Sequence, residues 1–557
     1  MRNEGKIKMK ASRRFYGVAV CAFAAVFAAA MAQAGDRTDA ERFLREAERL
    51  KPKLFSRAVS PVRLVRAVAD RRAYQGWCVE PAGDVPSVLN RRLKLGDEFV
   101  LDFGEHLVGY LSVDVAAGLT HADSPVRLHL VYAEMPAELA LPFGSAPKTL
   151  SRSWLPEELV FIDDVPANRE LPRRHAFRYV KVRVDTTCDF AFAGFSARAV
   201  TSADESRLTP WKTDDAELAK IDATALRTLR DCMQTTLEDG PKRDTRLWIG
   251  DLRLQALANY VSYRNYDIVR RCLYHFAGTV GADGLVASDA YERPRLAPGV
   301  CRILDYTALF PVIVLEYLEA TGDVKTAEEL WPCCRKQVEH VLATVGDDGL
   351  FADNGKWWCF IDWNEALDRQ AAEQGVIVYA LRRVIRLAGR LGRAQEAEDL
   401  VRRVETMERA ARTRLWDAKK GVFVSGKRRQ VSQMAQAWLV LADVAVGEQA
   451  RQCLRNALKD GTSERPKTPY ACYYLTEALQ HAGLDGEADR LLRTYWGGMI
   501  ARGADTFWEA FDPSDDFASP YGSVLYNSAC HAWSCGPTYL LRRQSQNKGA
   551  AAFQGVQ

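Results

Sequence analysis

Leu237-Glu-Asp-Gly-Pro-Lys-Arg-Asp-Thr-Arg-Leu-Trp-Ile-Gly-Asp251 is the stretch of sequence that decides the fold. A helical pattern precedes it over residues 215–236, and another begins at Leu252. Gly240 and Pro241 interrupt the pattern, because proline lacks a backbone donor and glycine is a poor helix former. The stretch is therefore predicted to be a loop that joins two helices at one end of a helical domain.

The same alternation of helix and loop continues on the C-terminal side, from about residue 210 to 545. Apolar residues recur with helical spacing over residues 303–320, and Gly322 ends that helix. Residues 375–388 and 394–415 form a helical pair with a short connection. Short loops between helices predict antiparallel hairpins, and about ten to twelve such helices can close as a ring. A solenoid is disfavoured because no repeat of the required period is visible.

The pattern on the N-terminal side, from about residue 60 to 200, has period two. Apolar and polar residues alternate over residues 111–115, 126–132 and 180–184, and Gly and Pro separate such runs. Several short strands of this kind predict an antiparallel β-sandwich. We therefore divide the chain into a signal peptide (1–34), a helical segment (35–59), a β-sandwich domain (60–205), a helical domain (206–545) and a disordered tail (546–557).

The first 34 residues have the order of a secretory signal peptide. A basic stretch runs to Arg14, an apolar run spans residues 17–30, and Ala32-Gln33-Ala34 supplies small residues at a cleavage position. The apolar run is shorter than the ~20 residues of a membrane-spanning helix. An uncleaved anchor is the alternative. We predict that the mature chain begins near Gly35, in the periplasm or outside the cell.

Composition excludes several classes of protein. The chain has 557 residues, 48% hydrophobic and 27% charged, which is typical of globular domains and not of disordered or fibrous chains. The net charge is +4, of which residues 1–34 carry +5, so the remainder gives no reason to expect nucleic acid or an anionic membrane as a partner. The 13 Cys and 8 His lack the paired spacing of metal sites, so no metal or cofactor is expected. Disulfides at Cys333-Cys334 or Cys530/Cys535, and the oligomeric state, remain open.

Four predicted loops combine charged or polar groups with aromatic side chains. A sugar site needs both, because carboxylates perform acid/base chemistry and an aromatic face covers the apolar side of the ring. The candidate residues are Asp239, Arg243, Asp244, Trp248 and Asp251 in the first loop, Asp362, Trp363 and Glu365 in the second, Glu509 in the third, and His531 and Trp533 in the fourth. The alternative is structural, with Asp251 as a helix cap and Asp239 paired to Arg243. A helical ring would gather the loops of one end into a single cleft.

These loops resemble, in the same order, the motifs of the α-L-rhamnosidases of glycoside hydrolase family 78. The matching segments are Asp239–Asp251, Phe360-Ile-Asp-Trp363, Phe507-Trp-Glu509 and Cys530-His-Ala-Trp533, together with Leu101-Asp-Phe-Gly104 and residues 177–182 in the accessory β-domain. The resemblance covers about residues 60–545. It implies an (α/α)6 six-hairpin toroid after the sandwich, a carbohydrate substrate, and hydrolysis with inversion that needs no metal.

The resemblance also implies roles for single residues. Asp244 matches the general acid and Glu509 the general base, and the remaining matches are substrate-binding positions: Asp239, Arg243, Trp248, Asp251, Asp362, Trp363 and His531. Many family members have Glu near the acid position, and the shorter Asp retracts the carboxyl by one bond. Such a displacement can cost ~10²-fold in rate. The chain also ends soon after the helical domain, without the C-terminal β-domain of many members.

Three functions are compatible with this pattern. The first is hydrolysis of terminal α-L-rhamnose or a similar sugar; the second is a six-hairpin hydrolase for a uronic acid, which Arg243 and Arg246 would bind. The third is a non-catalytic carbohydrate-binding relative. Because a general acid must stay protonated, we further expect both arginines to point toward Asp239 and Asp251, which would leave Asp244 desolvated against Trp248. Linkage and aglycone remain open.

Overall fold

The structure, a computed structural model, describes residues 34–118 and 123–554, with side chains from residue 39 to 545. Apart from Ala34, the predicted signal peptide lies outside the described residues. Within the described ranges, no helix has both the length and the apolar character needed to cross a bilayer. The described chain consists of a sheet domain followed by a helical domain, which is the predicted order.

The segment before the sheet domain corrects one prediction. The predicted helical segment over residues 35–59 is helical only in its first part: α1 covers Ala34–Arg49, and Phe55–Val59 forms strand β1. Pro52 lies between the two elements, and the residue before a proline is disfavoured in the helical region. β1 then pairs antiparallel with residues 197–201 at the end of the sheet domain.

The sheet domain contains, among the described residues, nine antiparallel strands and one short helix. They are β1 (Phe55–Val59), β2 (Arg63–Ala69), β3 (Trp77–Gly83), β4 (Glu98–Ala117), β5 (Val126–Ala133), α2 (Pro136–Ala140), β6 (Glu157–Ile162), β7 (Ala167–Glu170), β8 (His175–Val184) and β9 (Phe190–Thr201). The long strand β4 pairs with β8 on both sides of an irregularity between Asp102 and Leu107. Before the irregularity β4 also pairs with β2, and after it β4 also pairs with β7 and β9.

Strand β4 thus connects the strands on its two sides, and these strands share one core. Alternate residues of β4, β5, β8 and β9 are buried against one another, which is the burial that the period-two pattern predicts. The core includes Leu111, Val113, Val115, Leu128, Leu130, Val180, Val182, Phe192 and Ala197. The predicted antiparallel sandwich is confirmed.

The helical domain follows as antiparallel pairs. Its helices are α3 (Ala216–Cys232), α4 (Ile249–Tyr260), α5 (Tyr266–Gly278), α6 (Leu304–Thr321), α7 (Val324–Leu342), α8 (Gln370–Arg390), α9 (Glu398–Ala410), α10 (Gln433–Leu441), α11 (Gly447–Lys459), α12 (Pro469–His481), α13 (Asp485–Leu492), α14 (Gly498–Ala501) and α15 (Pro537–Gln554). Short strands β10 (Leu247–Trp248), β11 (Asp289–Tyr291), β12 (Ala297–Pro298), β13 (Trp416–Asp417), β14 (Val422–Ser425) and β15 (Gln430–Val431) lie in its loops.

Alternate helices form a closed inner ring. Helix α4 packs on α6, α6 on α8, α8 on α10 and α10 on α12, and the turn Ala532–Cys535 before α15 closes the ring between α12 and α4. The inner helix α6 is buried on nearly all sides, whereas the outer helix α11 buries only one apolar stripe. Such burial is what distinguishes core helices from surface helices. The structure therefore has the predicted six-hairpin toroid.

Two further expectations concern cysteines and the C-terminus. All 12 cysteines from Cys78 onward are free, so neither candidate disulfide forms. Helix α15 continues to Gln554, so residues 546–554, predicted to be disordered, have a helical backbone. Three alanines near its end favour helix, which explains the difference. Residues 555–557 of the predicted tail lie outside the described residues.

Candidate active site

The candidate active site lies where the loops that precede the inner helices meet. A cleft at this end of the ring is lined by Asp239, Arg243, Asp244, Trp248, Asp251, Ile303, Tyr306, Trp358, Phe360, Trp363, Glu509, Tyr521, His531 and Trp533. Eight of the nine predicted site residues are among them. Each comes from a loop or from the first turn of an inner helix, because outer-to-inner connections all fall at this end.

Asp362 is the predicted site residue that does not reach the cleft. It is buried, and its carboxylate accepts hydrogen bonds from Lys467 N at 2.7 Å and from the Thr468 hydroxyl at 2.6 Å. Its role is to fix the loop before α12 to the loop before α8, so the substrate-binding assignment of Asp362 is corrected. Glu365, in the same motif, is exposed and does not line the cleft.

Glu509 is a buried carboxylate held in its charged form. Its Oε1 accepts a hydrogen bond from Arg243 Nη2 at 2.5 Å and another from the Tyr521 hydroxyl, and its Oε2 accepts from Ser528 N at 3.1 Å. Burial alone would raise the pKa of Glu509, but the charge of Arg243, His531 and the hydrogen bonds from Arg243 and Tyr521 together outweigh it, and the pKa falls to about 2. Glu509 therefore stays ionised at neutral pH and can accept a proton.

Asp244 lies between two arginines, contrary to prediction. Its carboxylate oxygens are 3.4 Å from Arg243 Nη1 and 3.6 Å from Arg246 Nη2. The expected orientation of the arginines toward Asp239 and Asp251 holds only for the backbone N–H of Arg246, which donates to Asp239 Oδ1 at 3.0 Å. The sequence identified the charged groups correctly, but the left-handed backbone of Asp244 (φ 66°) turns its side chain toward the two guanidinium groups.

Asp239 and Asp251 differ from Glu509 in their protonation. Burial raises the pKa of both carboxyls well above the ordinary value, and nearby carboxylates raise it further: Asp244 and Asp251 for Asp239, and Glu509 for Asp251. His531 Nδ1 lies 3.4 Å from Asp251 Oδ1. Burial lowers the pKa of His531 to about 4, so its ring is neutral at pH 7. The site thus combines one ionised carboxylate with carboxyls that favour their neutral form.

Aromatic side chains form the walls of the cleft. Trp358, Phe360 and Trp363 pack together on one side. The Phe360 ring stacks on that of Trp533, with 5.7 Å between the ring centroids. Among the described residues, Trp248 Nε1 and Trp363 Nε1 are buried without a hydrogen-bond acceptor. Polar atoms in that position are free to bind a ligand hydroxyl, and the rings beside them match the apolar face of a sugar.

Sequence reasoning missed two tyrosines of the cleft. Tyr521 donates to Glu509, and the Arg243 guanidinium lies 4.4 Å from the centre of its ring. Tyr306 lies in the first turn of α6 with its ring edge toward Trp248. The tyrosine in the polar turn Pro520-Tyr521-Gly522 was a usable signal, since an aromatic in such a turn has little reason to be buried. Tyr306, in an apolar helix, gave none.

A six-hairpin ring whose loops gather carboxyl groups in an aromatic cleft is typical of a glycoside hydrolase. Comparison with known families agrees: residues 61–201 match the glycosyl hydrolase family 78 alpha-rhamnosidase N-terminal domain, and residues 207–544 match the bacterial alpha-L-rhamnosidase six-hairpin glycosidase domain. The chain belongs to the α-L-rhamnosidases of glycoside hydrolase family 78. The curated proteins contain no match to it.

Solved structures support the same family. A rhamnosidase from Klebsiella oxytoca, solved with rhamnose bound, is 42% identical, with a TM-score of 0.88 over 91% of this chain and 99% of that one. A family 78 rhamnosidase of Bacillus sp. GL1 is 24% identical with a TM-score of 0.70, and the match covers 83% of this chain but 49% of that chain. An α-L-rhamnosidase from Streptomyces avermitilis is 17% identical with a TM-score of 0.64 over 88% of this chain and 44% of that one. The last two likenesses show the fold alone.

Proposed function

We propose that the protein is an inverting exo-glycosidase that releases terminal α-L-rhamnose from glycosides or glycans. Glu509 acts as the general base that deprotonates the attacking water, and Asp244 as the general acid that protonates the leaving oxygen. Asp239, Arg243, Trp248, Asp251, Trp363 and His531 bind the sugar. The ionised, buried carboxylate of Glu509 in one cleft with a second carboxyl group, Asp244, is the observation that carries this proposal.

The contacts of both carboxyl groups with Arg243 limit the distance between them. Asp244 Oδ2 and Glu509 Oε1 contact adjacent nitrogens of the Arg243 guanidinium at 3.4 and 2.5 Å, so these oxygens lie at most about 8 Å apart. Inverting enzymes hold the two groups ~6.5–9.5 Å apart to admit a water molecule. The bound admits that spacing and also the ~5–5.5 Å of retaining enzymes, so we infer inversion from the family resemblance and not from this distance. The 42% identical relative with bound rhamnose supports the choice of sugar.

The uronic-acid alternative is weakened by the contacts of the arginines. Arg243 already binds Glu509, the Tyr521 hydroxyl and the Tyr526 carbonyl. Arg246 binds Asp289 at 3.1 Å and also contacts Asp244. A sugar carboxylate would have to displace one of these acceptors, because each guanidinium has a limited number of donors. A neutral deoxy-sugar needs no such displacement.

Product stereochemistry tests the mechanism directly. We expect the purified protein to cleave aryl α-L-rhamnosides in preference to other aryl glycosides, and to release β-L-rhamnose first. Proton NMR of the first turnovers, before mutarotation, distinguishes the two anomers. Initial release of the α-anomer would contradict inversion, and cleavage of a uronide but not a rhamnoside would favour the second function.

We further propose that the chain is exported to the periplasm or the extracellular space. The support is the basic stretch, apolar run and Ala-Gln-Ala site in residues 1–34. Mass spectrometry of the N-terminus of the protein produced in a bacterial host should show a mature chain beginning near Gly35. An intact N-terminus in the cytoplasmic fraction would contradict export.

A further inference from the structure

The sheet domain contacts the catalytic loops through buried charged groups. His106 lies in β4, and Glu134 directly follows β5. Both side chains are buried, as is Asp231 at the end of α3 in the helical domain. Burying charged groups costs free energy unless they are paired, so a buried charged cluster between two domains needs an explanation beyond packing.

His106 bridges the two domains. Its Nδ1 lies 2.7 Å from Asp231 Oδ2, and its Nε2 lies 2.9 Å from Glu134 Oε1. Burial opposes a charge on the ring, but Cys530 and the hydrogen-bonded carboxylates of Asp231 and Glu134 together outweigh it and hold the pKa of His106 well above its ordinary value. With both ring nitrogens facing carboxylate oxygens, the imidazolium can donate to both. Asp231 is fixed in turn by Arg230 Nε at 2.9 Å.

Glu134 passes this restraint to the active-site loop. Its Oε2 accepts a hydrogen bond from Ala529 N at 2.7 Å. The preceding residue, Ser528, donates its N–H to Glu509 Oε2 at 3.1 Å, and its carbonyl accepts from Glu509 N at 2.9 Å. The Glu134 carboxylate of the sheet domain therefore binds the N–H of Ala529, and the N–H of the adjacent residue, Ser528, binds the Glu509 carboxylate.

A second contact restrains the same loop from the other side. Glu138, in α2, accepts from Lys242 Nζ in a buried ion pair, and its Oε2 accepts from Glu134 N at 2.6 Å. Lys242 Nζ also donates to the carbonyls of Leu525 at 3.1 Å and Asn527 at 2.7 Å. Lys242 immediately precedes Arg243. The carboxylates after β5 thus brace both the Arg243 loop and the loop over residues 525–529.

A metal ion is the alternative explanation for the cluster. Ligand atoms of His106, Asp231 and Cys530 lie within 4.8 Å of one another. The 2.7 Å between His106 Nδ1 and Asp231 Oδ2 is a hydrogen-bond distance, however, whereas two ligands of a tetrahedral zinc ion lie about 3.3 Å apart. The observed distance therefore favours a shared proton.

We propose that His106 and Glu134 of the sheet domain are positioning residues for the general base. They act through the Ser528–Ala529 backbone, which orients the Glu509 carboxylate toward the attacking water. The proposal rests on the role of Glu509 proposed above. It gives the accessory domain a direct part in catalysis, since displacement of a reacting group on the ångström scale can cost ~10²-fold.

The test replaces Glu134 by alanine and by glutamine. Glu134→Ala removes the acceptor for Ala529 N, so we expect kcat on an aryl α-L-rhamnoside to fall about 10- to 100-fold while KM changes little, because the groups that bind the sugar are untouched. Glu134→Gln should recover most of this loss. Its amide oxygen can accept from Ala529 N, and its amide nitrogen can donate to Nε2 of a neutral His106.

His175→Ala is the matched control. His175 is also a buried histidine of the sheet domain, 3.3 Å from Glu158, but its ring stacks on Tyr132 inside that domain. The His175→Ala substitution should lower the melting temperature. At assay temperatures below the unfolding transition, its kcat should equal that of the wild type. If Glu134→Ala does not fold, the test uses His106→Gln, which keeps one donor toward Glu134. Its kcat should fall by about 3- to 10-fold.

Several results would overturn the proposal. An unchanged kcat for Glu134→Ala, while Glu509→Gln is inactive, would refute the positioning role and leave the base assignment standing. An active Glu509→Gln would refute both. Equal kcat losses in Glu134→Ala and His175→Ala would show a merely structural effect. One zinc ion per wild-type chain, retained through chelation and lost in Cys530→Ala, would show that the cluster is a metal site.

Discussion

Replacing Glu509 with glutamine is expected to lower kcat by about 10²- to 10⁴-fold on every α-L-rhamnoside, whatever its leaving group. The attack of water is needed for each substrate, and a glutamine amide cannot accept the proton that the water loses. Steady-state kinetics on an activated aryl rhamnoside and on an alkyl rhamnoside measure the effect. The two substrates should lose activity by similar factors.

Glu365→Gln is the control for this substitution. Glu365 is another candidate carboxylate of the predicted loops, but it is exposed and lies outside the cleft. Its replacement should leave kcat unchanged. If Glu509→Gln impairs only the alkyl rhamnoside, Glu509 supplies a proton to the leaving group, and the acid and base assignments must be exchanged.

Glu509 also makes stability depend on pH in a defined direction. Its pKa in the folded protein, about 2, lies below the ordinary value of 4.5, so the ionised form is favoured by folding. This stabilising contribution is present above the pKa of the unfolded chain and is lost as the pH falls toward 2. The difference in melting temperature between wild type and Glu509→Gln should therefore shrink on acidification, as followed by circular dichroism between pH 6 and 3. A constant difference would contradict the depressed pKa.

The architecture could be predicted because each domain has its own periodicity. Alternation at residues 111–115 and 180–184 coincides with strands β4 and β8, and the apolar run ended by Gly322 coincides with α6. Periodicity reports which side chains face a core, and in both domains the core is extensive. The segment over residues 55–59 was missed, because its partner in β9 is distant in sequence and most of its residues are exposed.

The identities of the cleft residues could be predicted better than their contacts. Loops at one end of a ring must converge, so Asp239, Trp248 and Glu509 could be placed together from their positions between helices. The direction of a side chain within a loop depends on backbone conformation, however. Asp362 could not be distinguished from a cleft residue, because the Lys467 and Thr468 groups that it binds lie more than a hundred positions away. Contacts of that range leave no local sequence pattern.

The second large effect is expected for Asp244→Asn, and it should depend on the leaving group. An alkyl rhamnoside needs a proton on its departing oxygen, so kcat should fall about 10²- to 10⁴-fold. An aryl rhamnoside with an acidic phenol departs without that proton, so its kcat should fall by less than about tenfold. A series of phenyl rhamnosides gives the dependence of the rate on leaving-group pKa, which should be steep in the variant and shallow in wild type.

Asp251→Asn distinguishes the acid from its neighbour. Burial and Glu509 raise the pKa of Asp251, so this carboxyl is another group that could carry a proton in the cleft. If Asp251 only binds the sugar in its neutral form, asparagine reproduces one donor and one acceptor, and the loss should be small and equal for all leaving groups. A steep leaving-group dependence in Asp251→Asn, with equal losses on both substrates in Asp244→Asn, would assign the acid to Asp251. The ion pairs of Asp244 with Arg243 and Arg246 would then serve to hold the arginine that keeps Glu509 ionised.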